Sequence, residues 1–324
     1  MPPLIECHAH VLPDAALARF PDAGSPRYVT AERRVLTRML EAQEAEGITH
    51  ALVSDSFFME TSAEALPTWP STDRARLYND ELGALLARHP KRLSGLGCVD
   101  PWAGEAAARE LERMVTALGF AGALVNPAAG GRYLDDPACA PLLAAAERLG
   151  RPLFVHPTRD LPAGEHYKDF VMSLIMGRPT QTAVCAARLI FTGTLDHYPR
   201  LPLLLAHGGG VLPFVAGRLD ATWTAYRPER WEGPDLLTAA PSTYLRRFHV
   251  DTNVWSTAAL RLLTEVLGAD RLLVGNDQPP VWFPLGESMA RLAALDLTPA
   301  EREAVHWGNA ARLFRLAPGV TDSP

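Results

Sequence analysis

The sequence is poor in the features that mark several large classes of protein. It has four cysteines in 324 residues, Cys7, Cys98, Cys139 and Cys185, each alone and none in a Cys-x-x-Cys pair. That spacing argues against a disulfide framework and against a structural zinc knuckle. Runs of lysine and arginine are lacking too: 31 basic residues are outnumbered by 37 acidic ones, for a formal net charge of −6, so nucleic acid is not an expected partner. No stretch reaches the roughly 18 uninterrupted apolar residues of a membrane span. The opening Met1-Pro2-Pro3-Leu4-Ile5-Glu6 has neither the basic start nor the apolar segment of a secretory leader. A reducing cytoplasm is the expected location. Internal repeats and low-complexity segments are also missing, which removes solenoids and long disordered linkers from consideration.

What is present is enough apolar material for a large core, at 48% hydrophobic against 21% charged residues. Short β-branched or apolar runs alternate with longer Ala/Leu/Arg/Glu-rich stretches, the pattern of βα units. Strands are predicted over residues 4–8, 49–54, 93–99, 121–125, 152–156, 202–207, 248–252 and 272–275. Helices are predicted over 31–46, 72–88, 103–118, 138–149, 180–197, 211–226, 257–267 and 299–316. In the third of these Ala107, Leu111, Met114, Val115 and Leu118 recur with helical spacing on one face. Eight strands in strict alternation predict a (β/α)8 TIM barrel with insertions after strands 1 and 5. One catalytic barrel is expected over 1–317, followed by a tail over 318–324. Proline- and glycine-rich punctuation at 21–26, 127–131, 157–164 and 279–284 follows strands, as the active-face loops of one domain would.

Barrel enzymes build their sites at the C-terminal ends of strands. Here those ends carry His8 and His10, His156, His207 and Asp277. Residues i and i+2 of a strand share a face, so His8 and His10 can both aim inward. Taken singly, each has an ordinary alternative: a His-x-His pair can end a strand, Asp277 can cap a turn, and Phe154-Val155-His156-Pro157 can be a strand with a polar end. The three glycines after His207 favour close approach of a ligand. In order, at four strand ends, imidazoles and a carboxylate form a donor set suited to Zn²⁺ or another divalent ion such as Mn²⁺.

These segments, Glu6-Cys7-His8-Ala9-His10, Phe154-Val155-His156-Pro157, Ala206-His207-Gly208-Gly209-Gly210 and Val274-Gly275-Asn276-Asp277, resemble the amidohydrolase superfamily, in the branch typified by aminocarboxymuconate-semialdehyde decarboxylase. Asn79-Asp80 and Gly308-Asn309-Ala310 also fit, so the similarity covers nearly the whole chain. The resemblance implies that His8, His10, His156 and Asp277 hold the metal and that His207 is the acid/base beside it. Asp277 could be a direct ligand or a proton acceptor. Arg227 resembles an arginine that reaches across a homodimer interface to a substrate carboxylate, with one residue of shift. Arg27 is a loose counterpart of a second substrate arginine. Glu6, where relatives commonly carry Asp, reads as structural, and Arg159, Asp160 and Lys168 as solvated loop charges.

The chain also departs from the branch. It reads Gly275-Asn276-Asp277-Gln278-Pro279-Pro280 where Gly-Thr-Asp-Tyr-Pro-Phe is usual, and Phe170, Val171 and Leu174 stand in place of substrate-side tryptophans. The expected activity is metal-dependent, non-oxidative decarboxylation of a small unsaturated or aromatic carboxylic acid. Hydrolysis or hydration on the same scaffold is the alternative.

Overall fold

The computed structural model describes residues 3–20, 31–159, 161, 164–227, 236–279 and 284–317. Arg27, Asp160, Pro280 and the expected tail 318–324 lie outside the described residues. Among them, eight parallel strands pair in chain order: β1 Ile5–His10, β2 His50–Ser54, β3 Leu93–Cys98, β4 Gly122–Val125, β5 Leu153–Val155, β6 Leu203–Leu205, β7 Phe248–Asp251 and β8 Leu272–Leu273. The last strand returns to the first. Cys7 N–H donates to the Val274 carbonyl at 2.8 Å, Asp277 N–H to the His8 carbonyl at 2.8 Å and His10 N–H to the Gln278 carbonyl at 2.6 Å. Helices connect successive strands, as in a (β/α)8 barrel. No helix among the described residues is long and apolar enough to cross a membrane.

Two apolar layers hold the barrel together. Alternate residues such as Val53, Ala123, Val155, Leu205 and Val250 face outward into the larger cluster beneath the helices. Cys7, Leu52, Leu96, Leu124, Phe154, Leu204 and Leu273 fill the interior with Leu313 and Phe314 of the last helix. Arg151, just before β5, donates to the Phe314 carbonyl at 2.6 Å, so this helix closes the end opposite the histidines.

β1 contains the irregularity that makes the site. Its pairing with β2 runs Ile5↔His50 and Glu6↔Ala51, then resumes at Ala9↔Val53 with one extra residue on β1. A bulge of this kind rotates the side chains that follow it. Cys7 therefore packs in the interior with Phe154, and the next residue, His8, also reaches inward, its ring 4.9 Å from that of Phe154.

The predicted strands all occur, within one to two residues at most ends. Helix Thr257–Leu267 coincides with its prediction, while the long closing helix is broken into Pro299–Glu303, a π-helical turn Ala304–Gly308 and Asn309–Phe314. Three helices were not predicted: Asp14–Leu17, Phe58–Ala65 and Leu285–Ala293, which follow β1, β2 and β8.

Candidate metal centre and substrate pocket

The bulge and the strand ends bring together four histidines and an aspartate. The Nε2 atoms of His8 and His10 lie 3.1 Å apart. Asp277 Oδ1 is 2.9 Å from His10 Nε2 and 3.3 Å from His8 Nε2, and its Oδ2 is 3.3 Å from His207 Nε2. The ring of His156 stands 5.0 Å from those of both His8 and His10. Ligand atoms of His8, His156, His207 and Asp277 all fall within 4.8 Å of one another, so His207 is as close to the centre as the expected ligands, and His10 adjoins them. Arg227 is placed elsewhere. It caps the exposed end of helix Ala216–Tyr226 with its guanidinium 4.5 Å over Trp223, and it does not line this chain's own pocket.

The donor geometry fits a divalent cation. Ligands bound to one ion at about 2.0–2.2 Å lie about 3–3.5 Å apart, as the His8, His10 and Asp277 atoms do. His156 Nδ1 lies 3.0 Å from the Pro157 carbonyl, a contact in which the ring N–H donates, and its buried Nε2 has no hydrogen-bond partner among the described residues. Burial, and then the neighbouring His8, His10 and His207, hold His156 well below the usual histidine range. It is a neutral imidazole with a free lone pair, the form that binds metal.

Asp251, at the end of β7, was not singled out from the sequence. Fully buried, it lies 2.6 Å from His8 Nδ1 and accepts the backbone N–H groups of His207, Gly208 and Asn253 at 3.0, 3.0 and 3.1 Å. Burial raises its pKa, but the bond and charge of His8 outweigh that and leave it below the ordinary carboxylate range. It fixes the His8 ring with Nε2 toward the centre, the carboxylate–histidine arrangement of many metal sites. Its only advance signal was an aspartate next to the end of a predicted strand.

Burial also pushes Asp277 upward, yet the charge of His8 and the bonds from His10, His207 and His8 hold it well below the carboxylate range. In the metal-free protein His8 answers in the opposite sense. Burial lowers it, but Asp277 and Asp251 raise it to about 10, so a proton occupies a place that favours positive charge. Glu6 is structural, as expected. It accepts the N–H groups of His8 and Asn276 at 3.0 and 2.7 Å, and burial lifts it to about 7.

Local backbone serves the same cluster. His207 and Asp277 both have positive φ, 56° and 59°, a conformation uncommon for side-chain-bearing residues and concentrated at functional sites. Gly275 lies so close to β1 and β7 that a Cβ there would come within 2.6 Å of Asp251 and 3.0 Å of His8. At Gly210 a Cβ would meet the Pro179 carbonyl at 2.0 Å.

A cavity of about 520 Å³ opens above the cluster, within the usual range for small-molecule sites. His156, His207 and Asp277 lie among its lining, and Phe57, Leu174, Ile175, Val211, Val254 and Trp255 supply apolar wall. Leu174 thus stands at the pocket where a tryptophan was missed in the sequence. The aromatic groups come instead from the connections after β2 and β7. Asn253 donates to Asp277 Oδ2 at 3.3 Å, and its own buried Oδ1 has no hydrogen-bond partner among the described residues.

The amidohydrolase family profile matches residues 5–316. The chain belongs to the amidohydrolase family. Among curated relatives it is similar to a 2-amino-3-carboxymuconate-6-semialdehyde decarboxylase of Dictyostelium discoideum, 29% identical over 76% of this chain and 67% of the relative. It is 30% identical to a gamma-resorcylate decarboxylase of Polaromonas, over 76% of this chain and 77% of the relative. Among solved structures, 5-carboxyvanillate decarboxylase of Sphingomonas paucimobilis superposes with a TM-score of 0.84 at 28% identity, covering 98% of this chain and all of the other. A dihydroxybenzoic acid decarboxylase of Polaromonas, with bound manganese and the inhibitor 2-nitroresorcinol, gives 0.80 at 26% identity over 99% of both chains.

Proposed function

We propose that this amidohydrolase is a metal-dependent, non-oxidative decarboxylase of a small aromatic or unsaturated carboxylic acid. Residues 1–317 form its catalytic barrel in this reading, a span that the family match at 5–316 supports. His8, His10, His156 and Asp277 hold the ion, and His207 is the acid/base. The observation that carries the reading is the unpartnered, buried Nε2 of His156 facing the converged His8, His10 and Asp277 atoms. The decarboxylase relatives support the reaction, and manganese in one of their structures supports Mn²⁺ beside Zn²⁺ as the resident ion.

When bound, a divalent ion supplies Lewis acidity toward the carboxylate and a neighbouring oxygen of the substrate. The protein's own groups do the rest. As the bond to the carboxyl carbon breaks, its electron pair stays on the ring or chain carbon, and His207 delivers a proton there. Asp277 orients the His207 ring through its Oδ2, and the apolar wall keeps bulk water from the developing carbanion. Incubating metal-loaded protein with a panel of aromatic and unsaturated acids, 2,6-dihydroxybenzoate among them, should release CO2 with one equivalent of decarboxylated product. Turnover of esters, amides or lactones with no CO2 from any acid would instead establish a hydrolase.

Asp251→Asn should weaken metal affinity about 10–100-fold, because the amide no longer accepts the His8 Nδ1–H as a carboxylate does. Competition with a chelating dye measures this, and unchanged affinity would remove Asp251 from the account. Metal uptake should also release protons. His8 Nε2 carries one below a pKa of about 10 in the metal-free protein, so near neutral pH the ion must displace it. Affinity should rise about tenfold per pH unit through this range and level off above it. Calorimetry in buffers of different ionisation enthalpy reads the proton directly, and a pH-independent affinity contradicts the assignment.

A homodimer in which Arg227 reaches the partner's site is part of the same proposal. Its placement at an exposed helix end, away from its own pocket, supports this. Arg227→Lys should raise KM several-fold while leaving metal content unchanged. A monomer with full activity in light scattering and assay would rule the arrangement out. Four free, buried cysteines support a cytoplasmic location.

A further inference from the structure

Resting on the reading of Asp277 as a metal ligand and His207 as the acid/base, we propose that Asn253 is a positioning residue. Its side-chain amide divides the Asp277 carboxylate between the two, keeping Oδ1 for the ion and Oδ2 for His207. Asn253 follows β7 and lines the cavity with both residues, and nothing in its sequence context had marked it.

The carboxylate has two unlike ends. Oδ1 lies 2.9 Å from His10 Nε2 and 3.3 Å from His8 Nε2, among the converged ligand atoms. Oδ2 lies 3.3 Å from His207 Nε2 and 3.3 Å from the Asn253 side-chain nitrogen. The Asp277 backbone is fixed, with its N–H donating to the His8 carbonyl at 2.8 Å. What remains free is rotation of the carboxylate about its own bond, which would carry Oδ2 toward the ligand imidazoles. A carboxylate can bind one ion through one oxygen or through both. The partners of Oδ2 therefore decide which.

Of those partners, Asn253 is the one built to stay. Thr252 beside it is laced to the strand end that leads to Asp277. Its N–H donates to the Leu273 carbonyl at 3.0 Å; its hydroxyl donates to the Gly275 carbonyl at 3.3 Å and accepts the Gly275 N–H at 3.1 Å. The Asn253 N–H donates to Asp251 Oδ1 at 3.1 Å. One short segment thus reaches both the aspartate behind His8 and the aspartate beside His10. Charge sets the orientation of the amide. Reversed, Asn253 Oδ1 would face the carboxylate oxygen, and where it stands it has no hydrogen-bond partner among the described residues. An imidazole nitrogen that has passed its hydrogen on no longer donates, whereas an amide N–H always does. Asn253 keeps Oδ2 occupied throughout, and the coordination position that Oδ2 would otherwise fill stays open to the substrate.

Co²⁺ is the probe, because its visible absorption weakens as its coordination number rises. Asn253→Leu keeps the bulk of the side chain and removes the donor, while Asn253→Gln keeps an amide. With about one equivalent of Co²⁺ and no substrate, the leucine variant should bind the ion at least as tightly as wild type yet absorb markedly less. Its kcat/KM on the best acid of the panel should fall about tenfold or more, chiefly through a higher KM, as Oδ2 competes with the substrate for the ion. Asn253→Gln should recover part of both effects. Asn253→Met carries the same expectations if the leucine variant does not fold. A wild-type spectrum in the apolar variants overturns the proposal, whatever their activity. Co²⁺ affinity about tenfold weaker also overturns it, since Asn253 would then be holding Asp277 on the ion rather than dividing it. The spectrum is read without substrate, so it decides the role of Asn253 even if wild type proves to be a hydrolase. If wild type binds no Co²⁺, the metal centre and this proposal fall together.

Discussion

His156→Ala should abolish metal binding and CO2 release together while leaving the barrel folded. Wild-type protein should hold about one divalent ion per chain and the variant almost none, since a three-residue remnant no longer completes the shell. The substitution is unusual for a fully interior position. Removing a large buried side chain ordinarily destabilises by leaving a cavity. Here the metal-free wild type already contains a buried His156 Nε2 without a partner, and the variant is relieved of it. The two effects oppose each other, so the metal-free forms should melt at similar temperatures. The difference appears on adding metal: wild-type Tm should climb with ion concentration, as for any ligand that binds only the native state, and the variant's should not. A variant that retains stoichiometric metal would show that His156 is not a ligand.

His207→Ala should separate binding from chemistry. The variant should keep most of its metal yet lose activity by roughly 10²-fold or more, the usual contribution of a positioned acid/base. The geometry makes this a real test, because His207 is as near the centre as the expected ligands. Two details favour the catalytic role. Its Nε2 faces Asp277 Oδ2 at 3.3 Å, and its buried Nδ1 has no hydrogen-bond partner among the described residues, so there the ring is oriented by Asp277 without being held from both sides. Its positive φ and the glycines beyond it hold the ring against the cavity, beside the cluster. Metal analysis and kinetics on one preparation decide the matter. A well-folded but metal-free variant would move His207 into the coordination shell.

The parts of this molecule legible in its sequence are those governed by local pattern. Strand cores such as Leu93–Cys98 and Gly122–Val125 are short apolar runs between amphipathic helices, so their number, order and ends could be read. The metal-capable residues then followed, because a barrel exposes what lies just past each strand. The β1 bulge could not be read in this way. Simple alternation accounts for His8 and His10 on one face, but the extra residue between Glu6 and Ala9 also lets Cys7 and His8 both point inward. Asp251 was missed because its role depends on a contact with His8 across 243 positions of chain. Phe57, Asn253 and Trp255 were missed for a related reason. They sit on connections whose paths are set by tertiary packing, so the pocket's walls were less legible than its metal end.

Metal-free protein titrated with Mn²⁺ or Zn²⁺, with CO2 release from the best acid of the panel recorded, decides whether the reaction needs the ion. No release should occur before metal is added; a rise that breaks at about one equivalent per chain should follow. Release that is undiminished in the metal-free protein, or that ignores added metal altogether, would contradict metal dependence.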